Sequence, residues 1–167
     1  GAGIGQGFGA FGAINSQVRQ IGGGQQIFRT MIIGLAFLES GVIFALVIAL
    51  LTFTGKFPQL TYPIALTEIG VAIMIGIAAT AVTIAGSFAL KSSCESIARQ
   101  PFFSQKILTL MLVALSFIEA PVIFAFIIGL VGMLFILSAF ILDEFVKKFN
   151  QNTLQYNLFN ILGSGML

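Results

Sequence analysis

Two glutamates hold the chemical interest of this chain. Glu39 lies near the middle of the apolar run Thr30–Phe53, and Glu119 near the middle of Leu108–Leu130. Each run is long enough to cross a bilayer as a helix, since roughly 20 residues suffice at about 1.5 Å each. A carboxyl at that depth is costly when charged and is a functional candidate by default. It can take up a cation, lose its charge, and release the cation elsewhere. A lone glutamate could instead serve as polar glue between helices. Two of them, each central and 80 residues apart, argue against that reading and for a shared functional role. Other chemistry is scarce. There is no His and Cys94 is the single Cys, so neither a zinc site nor a disulfide framework is available.

The elements that must position these carboxyls are helices in lipid. The chain has 167 residues, 57% hydrophobic and 8% charged, with mean hydropathy +1.05. Soluble domains carry about 25% charged residues. A water-soluble fold of this size could not hide several such apolar runs. The net charge of +2 is too slight to suggest nucleic acid. No basic segment precedes the opening apolar stretch, so no cleavable signal peptide is expected. The fold class expected is an all-α integral membrane protein of tandem helical hairpins, with four transmembrane helices.

Residues 1–18 hold Gly at 1, 3, 5, 7, 9 and 12. Gly7-x-Gly9-x-x-Gly12 matches a dinucleotide-binding pattern, but without a preceding strand that match means little. In lipid the backbone must be satisfied internally, so a closely packed helix is expected. A polar turn follows at 19–29, then a helix at about 30–53 and a linker, Thr54–Thr61, broken by Gly55 and Pro58. A third helix is expected at about 63–93, with small residues Ala79, Ala81, Ala85, Gly86 and Ser87. Glu95–Pro101 reads as a second polar turn, and a fourth helix as about 104–142. The domains are thus 1–55, a first hairpin whose first helix is short at its start, 56–142, a second hairpin, and a tail, 143–167.

The hairpins are internal copies. Arg19-Gln20 recurs as Arg99-Gln100, Gln25 as Gln105, Ile27 as Ile107 and Met31 as Met111. Leu35, Phe37, Glu39 and Val42–Ala45 recur as Leu115, Phe117, Glu119 and Val122–Ala125, without a gap. Two helices separate equivalent points, so both copies enter the membrane in one sense, unlike the inverted repeats of many transporters. Arg19, Arg29, Lys91, Arg99 and Lys106 gather at the hairpin turns. Basic residues mark the cytoplasmic or matrix-equivalent side. Counting outward from the turns puts Glu39 level with Gln6, and Glu119 level with Gly86.

GAGIGQG at 1–7, the Arg19-Gln20 turn, IARQP at 97–101, GLAFLES at 34–40 and ALSFIEA at 114–120 together resemble the proteolipid c subunit of F-type rotary ATP synthases. The resemblance covers about 1–142, as two hairpins fused in the manner of V-type proteolipids. It implies a homo-oligomeric ring with glycine-rich helices inside and glutamate-bearing helices outside. Glu39 and Glu119 are then the ion carriers. Arg19, Gln20, Arg99, Gln100 and Pro101 match the loop that meets the central stalk. The family further implies a stator a subunit with an arginine, membrane lipid around the ring, and no cofactor. The setting implied is a bacterial inner membrane or an energy-converting organelle membrane, with the turns on the ATP-synthesising side. The chain itself would catalyse no bond chemistry.

The ion expected is H+, with Na+ the alternative. In sodium-binding members Gln, Glu and a following hydroxyl residue supply oxygens, and Gln6, Glu39 and Ser40 match that set. Gly41 and Phe44 depart from it, and the second copy offers Gly86, Ala120 and Pro121 instead. A hard cation wants several oxygen ligands, and a ring must turn through every station with one ion. A non-rotary pore or scaffold would not need both carboxyls, and a small ion-coupled transporter would more naturally hold one unique site. The tail raises a separate expectation. Residues 158–167 are apolar with closely spaced glycines and would extend the first helix outward if placed ahead of Gly1, with Leu167 on the same axis.

Overall fold

A computed structural model describes residues 1–54, 62–145 and 154–165. All regular structure among them is helical: α1 (Ala2–Arg19), α2 (Gly24–Thr54), α3 (Tyr62–Arg99), α4 (Ser104–Phe145) and α5 (Leu154–Gly165). Single 3-10 turns, Ile21–Gly23 and Pro101–Phe103, join α1 to α2 and α3 to α4. Among the described residues three stretches are long and apolar enough to cross a membrane: Gly24–Phe53, Leu66–Arg99 and Pro101–Ala139. The expected fourth span, α1, is not among them. Its 18 residues end in the polar segment Asn15–Arg19.

The polar turns are tighter than expected. Gln25, Gln26 and Arg29 belong to α2, and Glu95 to Arg99 belong to α3. These side chains are compatible with helix, and only the residues between them leave it. The repeat is visible in the backbone. Gln20 ends α1 at φ −137°, ψ 91°, and Gln100 stands at φ −138°, ψ 72°. The amide of Gly23 donates to the carbonyl of Gln20, as that of Phe103 donates to Gln100, at 3.3 and 3.1 Å.

The chain divides into two compact units, each drawing on several helices. The first comprises residues 1–43 and 77–123. Its core is formed by Ala13, Ile27, Leu38, Leu90, Cys94, Ile97, Leu108, Met111 and Leu115. Here α1 lies against α3 at very short range. A Cβ on Gly5 would stand 2.7 Å from the backbone oxygen of Thr83, and one on Gly9 would stand 2.9 Å from Leu90 Cδ2. At Gly5, where the neighbour is backbone, only glycine allows that approach, the use expected of small residues between membrane helices. Leu38 of α2 and Leu115 of α4 close on Gly86 of α3 in the same way.

The second unit comprises residues 44–76 and 124–167. Ile48, Val71, Ile75, Ile136 and Ala139 are buried there. Phe44 stacks on Phe126 with centroids 4.8 Å apart. Within this unit α5 packs on α4, with Gly163 beside Gly132 and Phe135, and Phe159 lies 6.2 Å from the Phe135 ring. Part of the expected tail helix is therefore helical, while Leu167, on which the expected alignment with Gly1 turns, lies outside the described residues.

Large apolar side chains remain on the surface of every span. Phe117 is 78% exposed, and Phe28, Leu46, Ile73, Phe124 and Ile127 are exposed too. In water such a surface would be an aggregation liability. Lipid or a like surface suits it.

Candidate functional site

The two carboxyls stand in different surroundings. Glu119, on α4, is 9% exposed, and Ser40 Oγ on α2 donates a hydrogen bond to its Oε1 at 3.0 Å. Ser40 is unusual in reaching another helix. The hydroxyls of Ser16, Thr30, Thr83 and Ser116 each donate to a carbonyl four residues back in their own helix. That local bond is the ordinary fate of a helical hydroxyl. Bonding to a carboxyl oxygen on the other hairpin ties the two copies together at the site itself.

Glu39, next to Ser40 in the chain, is exposed. Gln6 is half-buried, and no hydrogen bond joins it to Glu39 among the described residues. The position expected opposite Glu119 needs correction. Gly86 is packed beside Leu115, one helical turn before Glu119. Gly41 of α2 touches both Ala79 and Val122, so Glu119 stands between those levels, beside the α3 segment that contains Val82 and Thr83. A count outward from the second polar turn sets its centre too far along the chain. Arg99 still belongs to α3 and the turn runs from Gln100 to Phe103, which by itself moves the register by about half a turn.

The residues of the two turns also meet. A Cβ on Gly23 would stand 3.4 Å from both Gln20 Cγ and Pro101 Cγ, so the proline of the second turn lies beside the glycine of the first. Arg19 and Arg99 are exposed and line one cleft with Phe11, Asn15, Lys91 and Glu95. Lys91 extends over the Phe8 ring at 4.6 Å, an arrangement in which the ring face attracts the ammonium. From sequence, Lys91 and Glu95 stand out only by their charge. Helical spacing, four residues apart on one face, is the signal that could place both in this cleft.

The family model for the C subunit of ATP synthase matches twice, over residues 1–52 and 69–140. The chain belongs to the ATP synthase C-subunit family. The two matches fall on the two hairpins, each with its own glutamate. A second family model matches residues 125–167. No curated protein matches the chain. As a C-subunit protein it is an integral membrane rotor proteolipid of an ATP synthase, acting in a ring with the other subunits of that complex. In the structure, the Ser40–Glu119 bond lies at the contact between its two copies of the family's hairpin.

Proposed function

We propose that this C-subunit protein carries H+ at both Glu39 and Glu119, coupling proton passage to rotation of a homo-oligomeric ring. The observation that carries the reading is the presence of a mid-helix carboxyl at the same place in both copies, one already seated against the neighbouring hairpin. A protonated carboxyl can face lipid at little cost, whereas a charged one cannot. Opposite an arginine on a stator a subunit, the carboxylate is favoured and the proton leaves. Each elementary charge that crosses yields about 2.3 kcal/mol per 100 mV.

The ring itself is supported by a second, open glycine face. Gly5 and Gly9 grip α3 within the chain, while a Cβ on Gly3 or Gly7 would meet no other part of the chain within 4 Å. The repeat equivalents of Gly5 and Gly12 on α3 are Ala85 and Ser92, and both are exposed. A further copy therefore finds on α3 small residues like those α3 finds on α1. A contact that repeats in one sense without being self-complementary closes into a ring when its rotation allows. Arg19, Gln20, Arg99, Gln100 and Pro101 then form the surface offered to the central stalk.

Protons suit the stations better than Na+. Ser40 is the one side-chain partner of Glu119 among the described hydrogen bonds, and a hard cation wants several oxygens. The reading is tested by treating the assembled ATP synthase with a hydrophobic carbodiimide. Modification of one glutamate per ring is expected to stop ATP-driven proton transport, and added Na+ at neutral pH should protect neither residue. Transport that continues after labelling removes the rotor role. Strong Na+ protection of both glutamates reassigns the ion.

A further inference from the structure

We propose that a ring of this chain carries two alternating kinds of ion station: Glu119 bonded by Ser40 within each chain, and Glu39 facing Ala120 of a neighbouring copy. The proposal rests on the ring reading above and adds to it a chemical difference between successive stations.

The contact inside the chain serves as a template. Hairpin two relates to hairpin one through named pairs: Gly5 with Thr83, Leu38 with Gly86, Gly41 with Val122, and Ser40 with Glu119. Because the hairpins are gap-free copies with matching turn backbones, the next copy's hairpin one should meet hairpin two through the equivalent pairs. Moving each residue by the repeat of 80 gives those pairs from the sequence. Ala85 meets Gly3, Ile118 meets Gln6, Pro121 meets Val42, and Ala120 meets Glu39. The surface is available, since Gly3, Glu39, Val42, Ala85 and Pro121 are all exposed in the single chain.

The two interfaces share their shape and differ in their polar groups. The intrachain station has a hydroxyl, that of Ser40, on the carboxyl of Glu119. The interchain station has no hydroxyl at the matching position, because Ala120 stands where Ser40 does. The two carboxyls thus differ by one hydroxyl partner. A carboxyl oxygen engaged by a hydroxyl is less free to attack a carbodiimide than one facing a methyl group, so the two glutamates should react at different rates.

The experiment uses the purified oligomer in mild detergent. Its mass is measured first, and a mass no greater than one chain would remove the ring and the proposal together. With an oligomer in hand, a hydrophobic carbodiimide is applied and labelling of Glu39 and Glu119 is followed separately by peptide mass spectrometry. Glu39 is expected to label faster. Ser40→Ala should raise the rate at Glu119 by roughly fivefold, the scale of one net hydrogen bond between neutral groups, and leave Glu39 unchanged. The deciding variant is Ala120→Ser. It should slow labelling of Glu39, on another copy, and leave its sequence neighbour Glu119 unchanged. Equal wild-type rates, or an Ala120→Ser effect that falls on Glu119 or on neither residue, overturns the alternation while the measured oligomer leaves the ring standing.

Discussion

The two faces of α1 are built from the same residue type and do opposite things. Gly5, Gly9 and Gly12 are buried against α3, and at Gly5 the nearest atoms are backbone. Gly3 and Gly7 are exposed, and a Cβ on either would meet no other part of the chain within 4 Å. The carboxyls divide along the same line, Glu119 enclosed at the contact between hairpins and Glu39 exposed. One interface is complete within the chain. Its repeat equivalent, Ala85 on α3 and Gly3 on α1, is exposed in the single chain, and in the proposed ring it is the surface offered to the next copy.

Substitutions at the two glycine faces should separate these roles most strongly. Gly5→Leu forces a side chain into the carbonyl of Thr83. Overpacking of this kind costs about 1–3 kcal/mol and occasionally more, so the single chain is expected to lose thermal stability in detergent. Gly3→Leu should leave the single chain's melting unchanged and reduce the fraction that migrates as oligomer. Full oligomer with Gly3→Leu would show that this face is not the contact between copies. A smaller effect is expected at the carboxyl. Ser40→Ala removes the cross-helix bond and should lower stability by about 1 kcal/mol. Ser116→Ala, whose hydroxyl bonds its own helix, should stay within about 0.5 kcal/mol. Equal losses would mean that the bond to Glu119 contributes nothing specific.

Much of this is legible in the residues. Length and apolarity announce the spans of α2, α3 and α4, and the repeat of 80 pairs the carboxyls without knowledge of any contact. Turn lengths are less legible. Polar residues such as Gln25, Arg29, Glu95 and Arg99 read as turn, yet they continue helices, because polarity at a membrane boundary reflects water and headgroups rather than a break in the backbone. The same ambiguity sets Gly86 opposite Glu119. Register between antiparallel helices depends on the residues at the turn, and one turn of error changes which side chain stands opposite a carboxyl. The Ser40–Glu119 bond is hidden for another reason. Sequence order associates Ser40 with Glu39, its immediate neighbour, whereas adjacent residues on a helix point in directions about 100° apart. The side chain next in the chain is free to face the other hairpin, and it does.

The central claim is that both copies carry ions, and the most direct test compares Glu39→Gln with Glu119→Gln in the assembled ATP synthase. A glutamine cannot release a proton, so a ring with it at either station stalls when that station meets the stator. ATP-driven acidification of membrane vesicles is the measurement. Both variants should lose it to a similar, near-complete extent, whatever the difference in surroundings between Glu119 and Glu39. Wild-type acidification by Glu119→Gln would contradict the account, leaving the second hairpin as a structural spacer and Glu39 as the sole carrier.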